Sequence, residues 1–509
     1  MAASWRNDLP ASIVVFLVAL PLCLGIALAS GAPLFAGVIA GVVGGVLVGS
    51  LSGSHLMVSG PAAGLTAIVV AAIASLGSFQ AFLAAVVIGG AVQLVLAVMR
   101  AGVLGYYFPS SVIKGMLAAI GLILVLKQIP HAVGYDVDFE GDETFLQANA
   151  ENTFTAVLHA LQRLEPGAVL ISLVGLALLF VWDKTPLKNV RLLPAQLTVV
   201  LLGVALDIAC AAAQPAWKLD ASHLVTLPIP AQLADYADYF AFPDWSALSR
   251  GDTWRVGVTL GVVASLESLL SLEATDRLDP YKREAPANRE LFAQGAGNIV
   301  SGLIGGLPVT GVIVRSAANV DAGARTKLSA ILHGLLLAAA VVSIPALLNH
   351  IPLASLAAIL IFTGFKLAHP KIWSSMWRQG SSQFLPFALT IVAILLTDLL
   401  VGIGIGLALG LLFILFEHSR QPCYEIVSPK GAVLTRVRLN EQVSFLSKAT
   451  LAKLFERLEP GSRIELDGSQ CRHVHHDVLE LISDFRETAL LRKIDLRLVG
   501  LDLPGATHH

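Results

Sequence analysis

The sequence predicts a polytopic α-helical membrane protein: fourteen transmembrane segments in a seven-plus-seven inverted repeat, followed by a small cytoplasmic α/β domain. Three observations carry that expectation. First, the 509 residues are 55% hydrophobic and 14% charged, where a soluble chain carries about a quarter charged residues. Second, apolar runs of about 20 residues, the length of a membrane span, recur from Ala11 to Phe416. Third, a broken element in the first half, Val58-Ser59-Gly60-Pro61, returns in the second as Val309-Thr310-Gly311. Irregular backbone at membrane depth persists only where it is buried or lines a cavity, and paired interruptions in two halves mark a binding site near mid-bilayer.

The first seven segments are expected near 11–30, 33–51, 56–76, 79–99, 109–127, 168–182 and 195–213. The second seven fall near 254–272, 288–306, 308–322, 327–346, 352–367, 384–399 and 401–416. The first run could pass for a signal peptide, but it shows no distinct cleavage site and is read as a retained span. With the N-terminus inside, the cytoplasmic loops collect Arg100, Lys184, Lys188, Arg191, Arg277, Lys282, Arg283, Arg289, Arg325, Lys327, Lys366, Lys371, Arg378 and Arg420. The outer loops near 128–167 and 214–253 are acid-rich, the first holding Asp136, Asp138, Glu140, Asp142, Glu143 and Glu151. Basic residues stay inside, so the charges agree with the span count and leave both termini cytoplasmic. Two halves of seven, an odd number, must be inverted, and the broken element falls at the third segment of each.

The transmembrane region is bounded at 1–420, with repeats near 9–215 and 252–418, and the α/β domain at 424–505. In that domain a strand is expected near Ala432–Leu439, a helix at Ala449–Leu458 and a strand at Arg463–Leu466. An amphipathic helix follows at Asp477–Leu491, then a last strand at Ile494–Val499. The cysteines Cys23, Cys210, Cys423 and Cys471 are scattered and give no disulfide framework. The tract Cys471-Arg472-His473-Val474-His475-His476 has no closed ligand spacing, so no metal site is expected. Thr507-His508-His509 reads as a tag remnant. The net charge of −2 gives no basis for a nucleic-acid partner. No nucleophile elbow, phosphate loop or zinc signature is present, so no catalytic residue is assigned and an enzyme is disfavoured.

The chemistry concentrates at the two interruptions. Pro61 is tolerated at a helix start, and a half-helix from Ala62 points the N–H groups of Ala62, Ala63 and Gly64 toward mid-membrane. A second half-helix after Gly311, starting near Val312, does the same with Ile313 and Val314. Each tip acts as roughly half a positive charge, and two opposed tips make an anion site without a basic side chain. Arg315 lies one turn further on; a charge at mid-helix costs about 2.5–3.5 kcal/mol or more, so it is paired or functional. Its roles are added positive field or an ion pair with Glu267. Glu267, in an otherwise apolar segment with Ser271 four residues on, is a candidate for carrying a coupling ion or for that salt bridge. Leu22 and Ile26, after Pro21, form a candidate apolar wall.

These residues resemble a known family. Ser59-Gly60-Pro61, Pro109-Ser110-Ser111-Val112-Ile113-Lys114-Gly115, and the run from Asn288-Arg289-Glu290-Leu291 through Gln294, Asn298, Gly305-Gly306-Leu307-Pro308-Val309-Thr310-Gly311 and Arg315-Ser316 to Ala324-Arg325-Thr326 are similar to the SulP anion permeases. The resemblance implies a core domain (segments 1–4 and 8–11) moving against a gate domain (5–7 and 12–14), a cytoplasmic STAS domain and a homodimer in the inner membrane. It implies elevator-like secondary transport of a small inorganic anion, bicarbonate or sulfate. It places the anion at Ala62, Ala63, Val314 and Arg315, flanked by Leu22 and Ile26, and matches Glu267 to the family's acidic position. Sodium-coupled relatives tend to have Asp and a hydroxyl where this chain has Glu267 and Ile313, which favours H+ over Na+. No other cofactor is implied. Leu22 stands where a polar residue is common. Other readings are a nucleobase or dicarboxylate permease of the same fold, and a non-transporting sensor signalling through the STAS domain.

Overall fold

The computed structural model describes residues 4–137, 152–185, 194–227, 233–397, 399–420, 423–427 and 434–501. Lys188, Arg191, the acidic residues Asp138, Glu140, Asp142, Glu143 and Glu151, and the terminal His508-His509 lie outside the described residues. The chain divides into two compact units, Met1–Leu407 and Ala408–His509.

Every expected segment holds a helix. The first repeat contains α1 (Trp5–Ala29), α2 (Leu34–Val43, running on through a π-turn at Gly44–Val48), α3 (Thr66–Leu76), α4 (Phe79–Val98), α5 (Ser110–Ala132), a surface helix α6 (Thr153–Gln162), α7 (Pro166–Lys184) and α8 (Ala195–Ala213). The second contains α9 (Gly251–Leu278), α10 (Ala287–Ile304), α11 (Ile313–Asp321), α12 (Leu328–Ser343), α13 (Leu353–Leu367), a short α14 (Pro370–Arg378), α15 (Ser381–Leu396) and α16 (Leu399–Arg420). Among the described residues, eight helices are long and apolar enough to cross a membrane and four shorter ones are apolar. The remaining two spans are α10 and α11. They are too polar or too short for that test, and they flank the second interruption.

The helices sort into two bundles. In one, α4 packs on α9 and α10, and α1 on α2, α11 and α12; in the other, α5 packs on α13 and α15, and α13 on α7. Reciprocal glycines permit the closest crossings. A Cβ on Gly90 would lie 2.7 Å from the Gly295 carbonyl oxygen, and one on Gly295 would lie 2.8 Å from that of Gly90. In the second bundle Gly121 and Gly364 meet the same way, at 2.5 Å each. Without a hydrophobic drive between helices in lipid, such close backbone approach supplies the packing. The sequence places the small residues; the reciprocal pairing becomes visible only in three dimensions.

The C-terminal unit carries a four-stranded sheet in the order β3-β4-β6-β8: β3 (Tyr424–Ile426), β4 (Leu434–Leu439), β6 (Arg463–Asp467) and β8 (Asp495–Val499). The last three are parallel and β3 is antiparallel to β4. Helices α17 (Lys448–Glu456) and α18 (His476–Leu491) cover it, with Phe455 stacked on Phe485 at 4.0 Å. The histidine tract forms a minor strand, β7 (His473–Val474), paired with β5 (Gln442–Val443), and a helix cap: His475 Nδ1 accepts from the Asp477 N–H at 3.3 Å. This α/β architecture is consistent with a STAS domain.

Candidate functional site

The two interruptions meet. Ser59–Pro61 (β1) pairs antiparallel with Val309–Gly311 (β2), Ser59 opposite Gly311 and Pro61 opposite Val309, all buried. Val312 N–H extends the ladder to the Val58 carbonyl at 2.9 Å. Extended backbone in lipid must satisfy its polar groups, and here each broken segment satisfies the other's. The α3 helix begins later than its sequence indicates: Ala62 is extended, Ala63–Leu65 forms a single 3-10 turn, and regular helix starts at Thr66. On the other side α11 starts at Ile313, with Val312 as its N-cap.

Polar side chains brace the crossing. On one face of α10, Gln294 Nε2 donates to Ser59 Oγ at 2.8 Å. Asn298 makes a double bond pattern with Val309, donating to its carbonyl at 2.8 Å and accepting from its N–H at 2.6 Å. Ser301 Oγ donates to the Leu307 carbonyl at 2.7 Å. Further down the same face, Glu290 accepts from Gln294 and from Ser52. From α11, Ser316 Oγ accepts from Val58 N–H at 2.9 Å and Asn319 donates to the Leu56 carbonyl at 2.8 Å. From α9, Ser268 Oγ accepts from Gly311 N–H at 3.2 Å. Residues 290, 294, 298 and 301 recur at helical spacing, a pattern present in the sequence to which no positioning role was attached there; Ser268 gave no signal beyond being a hydroxyl beside Glu267.

The candidate residues gather here. Leu22, Ile313 and Val314 share one buried apolar cluster, and Ile26 and Ala62, with Ala63 packed against them, share another. Leu22 and Ile26 lie one turn apart on α1, so this helix spans both tips. Ser271 faces the crossing, its Cβ 3.5 Å from where a Gly311 side chain would begin. Glu267 and Arg315 stand against different tips. A Cβ on Gly64 would lie 3.0 Å from Glu267 Oε1, so the carboxyl stands against the first turn of α3. Arg315 is wholly buried, and its guanidinium stands within hydrogen-bonding reach of the Cys23 thiol. It runs back toward β1, where a Cβ on Gly60 would lie 2.2 Å from its Nη1, beside Cys23 and His333.

Two helical bundles around a crossing of two broken helices define a polytopic membrane transporter. The chain belongs to the sulfate permease family, which it matches over residues 5–390, and it is accordingly an anion transporter. It is 26% identical over 420 residues to the putative sulfate transporter YvdB of Bacillus subtilis (strain 168), covering 82% of this chain and 74% of that one. It is 24% identical over 413 residues to the bicarbonate transporter BicA of Picosynechococcus sp., covering 79% and 68%. The overall structure of SLC26A9 superposes with a TM-score of 0.68 at 14% identity, over 97% of this chain and 84% of that one.

Proposed function

We propose that the protein is a secondary transporter of bicarbonate or sulfate in the cytoplasmic membrane, both termini inside, that moves its anion together with a proton. The anion binds between the α3 and α11 tips, where the backbone N–H groups of Ala63, Gly64, Ile313 and Val314 replace its water, and Arg315 adds positive field from behind. Leu22 and Ile26 form the apolar wall. Glu267 is the proton carrier, with Ser271 beside it.

The observation that carries this reading is the division of charge between the tips. Two helix N-termini supply roughly one positive charge together. An ionised Glu267 against the α3 turn cancels half of it or more, while the buried Arg315 guanidinium keeps the other tip positive. Protonating Glu267 restores the α3 tip for an incoming anion, so proton and anion bind together. The nearby names point the same way: the relatives above are called sulfate and bicarbonate transporters. Alternating access follows if the bundle holding α3 and α11 slides against the bundle of α5, α7 and α13, an elevator motion.

Reconstitution into proteoliposomes tests this with labelled bicarbonate, sulfate, a dicarboxylate and a nucleobase under imposed H+ or Na+ gradients. Accumulation of one inorganic anion driven by H+ but not Na+ is expected. Absence of flux for every anion would overturn the reading in favour of a sensor.

A further inference from the structure

At the face opposite the chain's N-terminus, a carboxylate is clamped between two imidazoles. His131 lies in the last turn of α5, Asp136 four residues past its end, and His223 closes a 3-10 turn (Ala221–His223) between α8 and α9. His131 Nδ1 and His223 Nδ1 each lie 2.5 Å from one Asp136 oxygen. The Asp136 and His131 side chains are 4% exposed and that of His223 is 16% exposed. The neighbouring segment is pinned to the start of α13: Val225 N–H donates to the Ile351 carbonyl at 3.0 Å and Leu227 N–H to Asn349 Oδ1 at 2.6 Å. The cluster also opens on a cavity of about 200 Å3, bounded by Pro21, Leu24, Gly25 and Leu28 of α1 on one side and by His131, Asp136 and Leu353 on the other. That cavity lies in the seam between the two bundles, on the α1 flank that the transport reading gives to the anion.

We infer that Asp136, His131 and His223 form a proton-binding site at this mouth, separate from Glu267, whose net charge sets how readily the anion enters the seam. With both imidazoles neutral the cluster carries one negative charge and repels the anion. One proton brings it to zero, and a second makes it positive. With a proton on each Nδ1, both rings donate to Asp136 whether Nε2 is protonated or not, so protonation changes the charge without dismantling the clamp.

The surrounding charges favour the first protonation. Asp136's hydrogen bond, and then the charges of Asp136, Glu165 and Asp220, lift His223 above its ordinary 6.5 against the opposing effect of burial. Burial pushes the Asp136 carboxyl up, but the two imidazoles outweigh it and hold it below 3.8. Lys127, one turn before His131 on α5, is the further cation on that helix face. A raised imidazole holds its proton, and the contact energy that goes with it, fully below 6.5 and loses both as pH climbs through the elevated value.

This inference rests on the transport reading and on the orientation proposed above, and one pair of measurements separates them. Anion KM is read against the pH on the His223 face, in vesicles of determined orientation, with the other side clamped. In parallel, the histidines of the detergent-solubilised protein, 15N-labelled, are titrated by NMR. Wild-type KM is expected to rise about threefold to fivefold as that face turns alkaline, the scale of one unit charge across about 10 Å of partly wet protein, with little change in kcat. In His223→Gln, KM is expected to be higher at the acid end and to change less with pH than in the wild type, the remainder following Glu267, and one imidazole titrating above 6.5 disappears. Asp136→Asn is expected to return His223 toward 6.5. A His223→Gln KM that follows pH as steeply as the wild type's while flux persists overturns the inference, as does a wild-type KM that stays flat. If no anion moves at all, the transport reading fails, and the titration alone decides the proton site: no imidazole titrating above 6.5 overturns it.

Discussion

The α3 and α11 tips occupy equivalent places in the two repeats, yet they are built differently. The α3 tip begins with an extended Ala62 and one 3-10 turn, and a carboxyl from α9 stands against it. The α11 tip begins directly in α-helix and carries the buried Arg315 guanidinium. Inverted repeats fix where the tips meet; they leave the charge at each free to diverge. A symmetric pair would hold an anion equally in every protonation state. On the proposed function, the asymmetric pair makes one half of the site conditional on a proton and leaves the other permanently positive. Coupling then resides in the α3 tip and affinity in the α11 tip, and each is open to a separate test.

The largest expected effect is all-or-none. Glu267→Gln fixes the α3 tip in its neutral, anion-ready form. Uptake driven by an inward proton gradient should vanish, while one-for-one anion exchange continues at a rate within a few-fold of wild type. A variant that still concentrates anion along the proton gradient removes Glu267 from the coupling step. Next comes Arg315→Ala. Loss of a charge-assisted interaction of about 1.5–3 kcal/mol should weaken anion binding about 10- to 100-fold in a titration of the detergent-purified protein. Because a buried charge is costly to desolvate, the same change should leave the thermal midpoint unchanged or raise it. A large fall in both affinity and midpoint would instead mark Arg315 as structural.

Much of this architecture was legible before the coordinates, and the reason is physical. Lipid demands long apolar runs and internal hydrogen bonding, so spans, breaks and the two tips leave plain traces in the sequence. The start of α3 was less legible. Ala62, Ala63 and Gly64 all suit a helix, and the 3-10 turn follows from the pairing of Pro61 with Val309, a contact across the two repeats that no local pattern records. The relation of Glu267 to Arg315 was likewise hidden. Opposite charges in apolar helices suggest a pair, but the crossing strands hold them at different tips. Gln294 and Asn298 stood in the most distinctive stretch of the chain, yet their spacing alone shows a polar face, not what that face binds.

Gly60 gives a sharper separation of affinity from folding. An added Cβ would lie 2.2 Å from Arg315 Nη1, the far end of a flexible side chain, and 3.1 Å from its Cζ. Gly60→Ala should therefore push the guanidinium aside at small cost to the fold. Affinity is expected to fall about three- to tenfold, less than for Arg315→Ala because the charge stays in the site at greater distance. Combined with Arg315→Ala it should add almost nothing, since both act through one group. Independent, additive losses would show that Gly60 contributes through its own backbone instead.

The smallest effect belongs to the brace from α9. Ser268 Oγ accepts the Gly311 N–H at 3.2 Å, in a direction that leaves its own proton for another acceptor. Ser268→Ala removes one neutral hydrogen bond and leaves a buried N–H unsatisfied, worth about 1–3 kcal/mol. The loss should appear as a lower thermal midpoint, with anion affinity reduced at most a few-fold. Asn298 still holds Val309 two residues away, so β2 keeps its register and the α11 tip its place. If Ser268→Ala costs affinity as heavily as Arg315→Ala, the hydroxyl acts on the anion directly, and the α11 tip is no longer the sole unconditional half of the site.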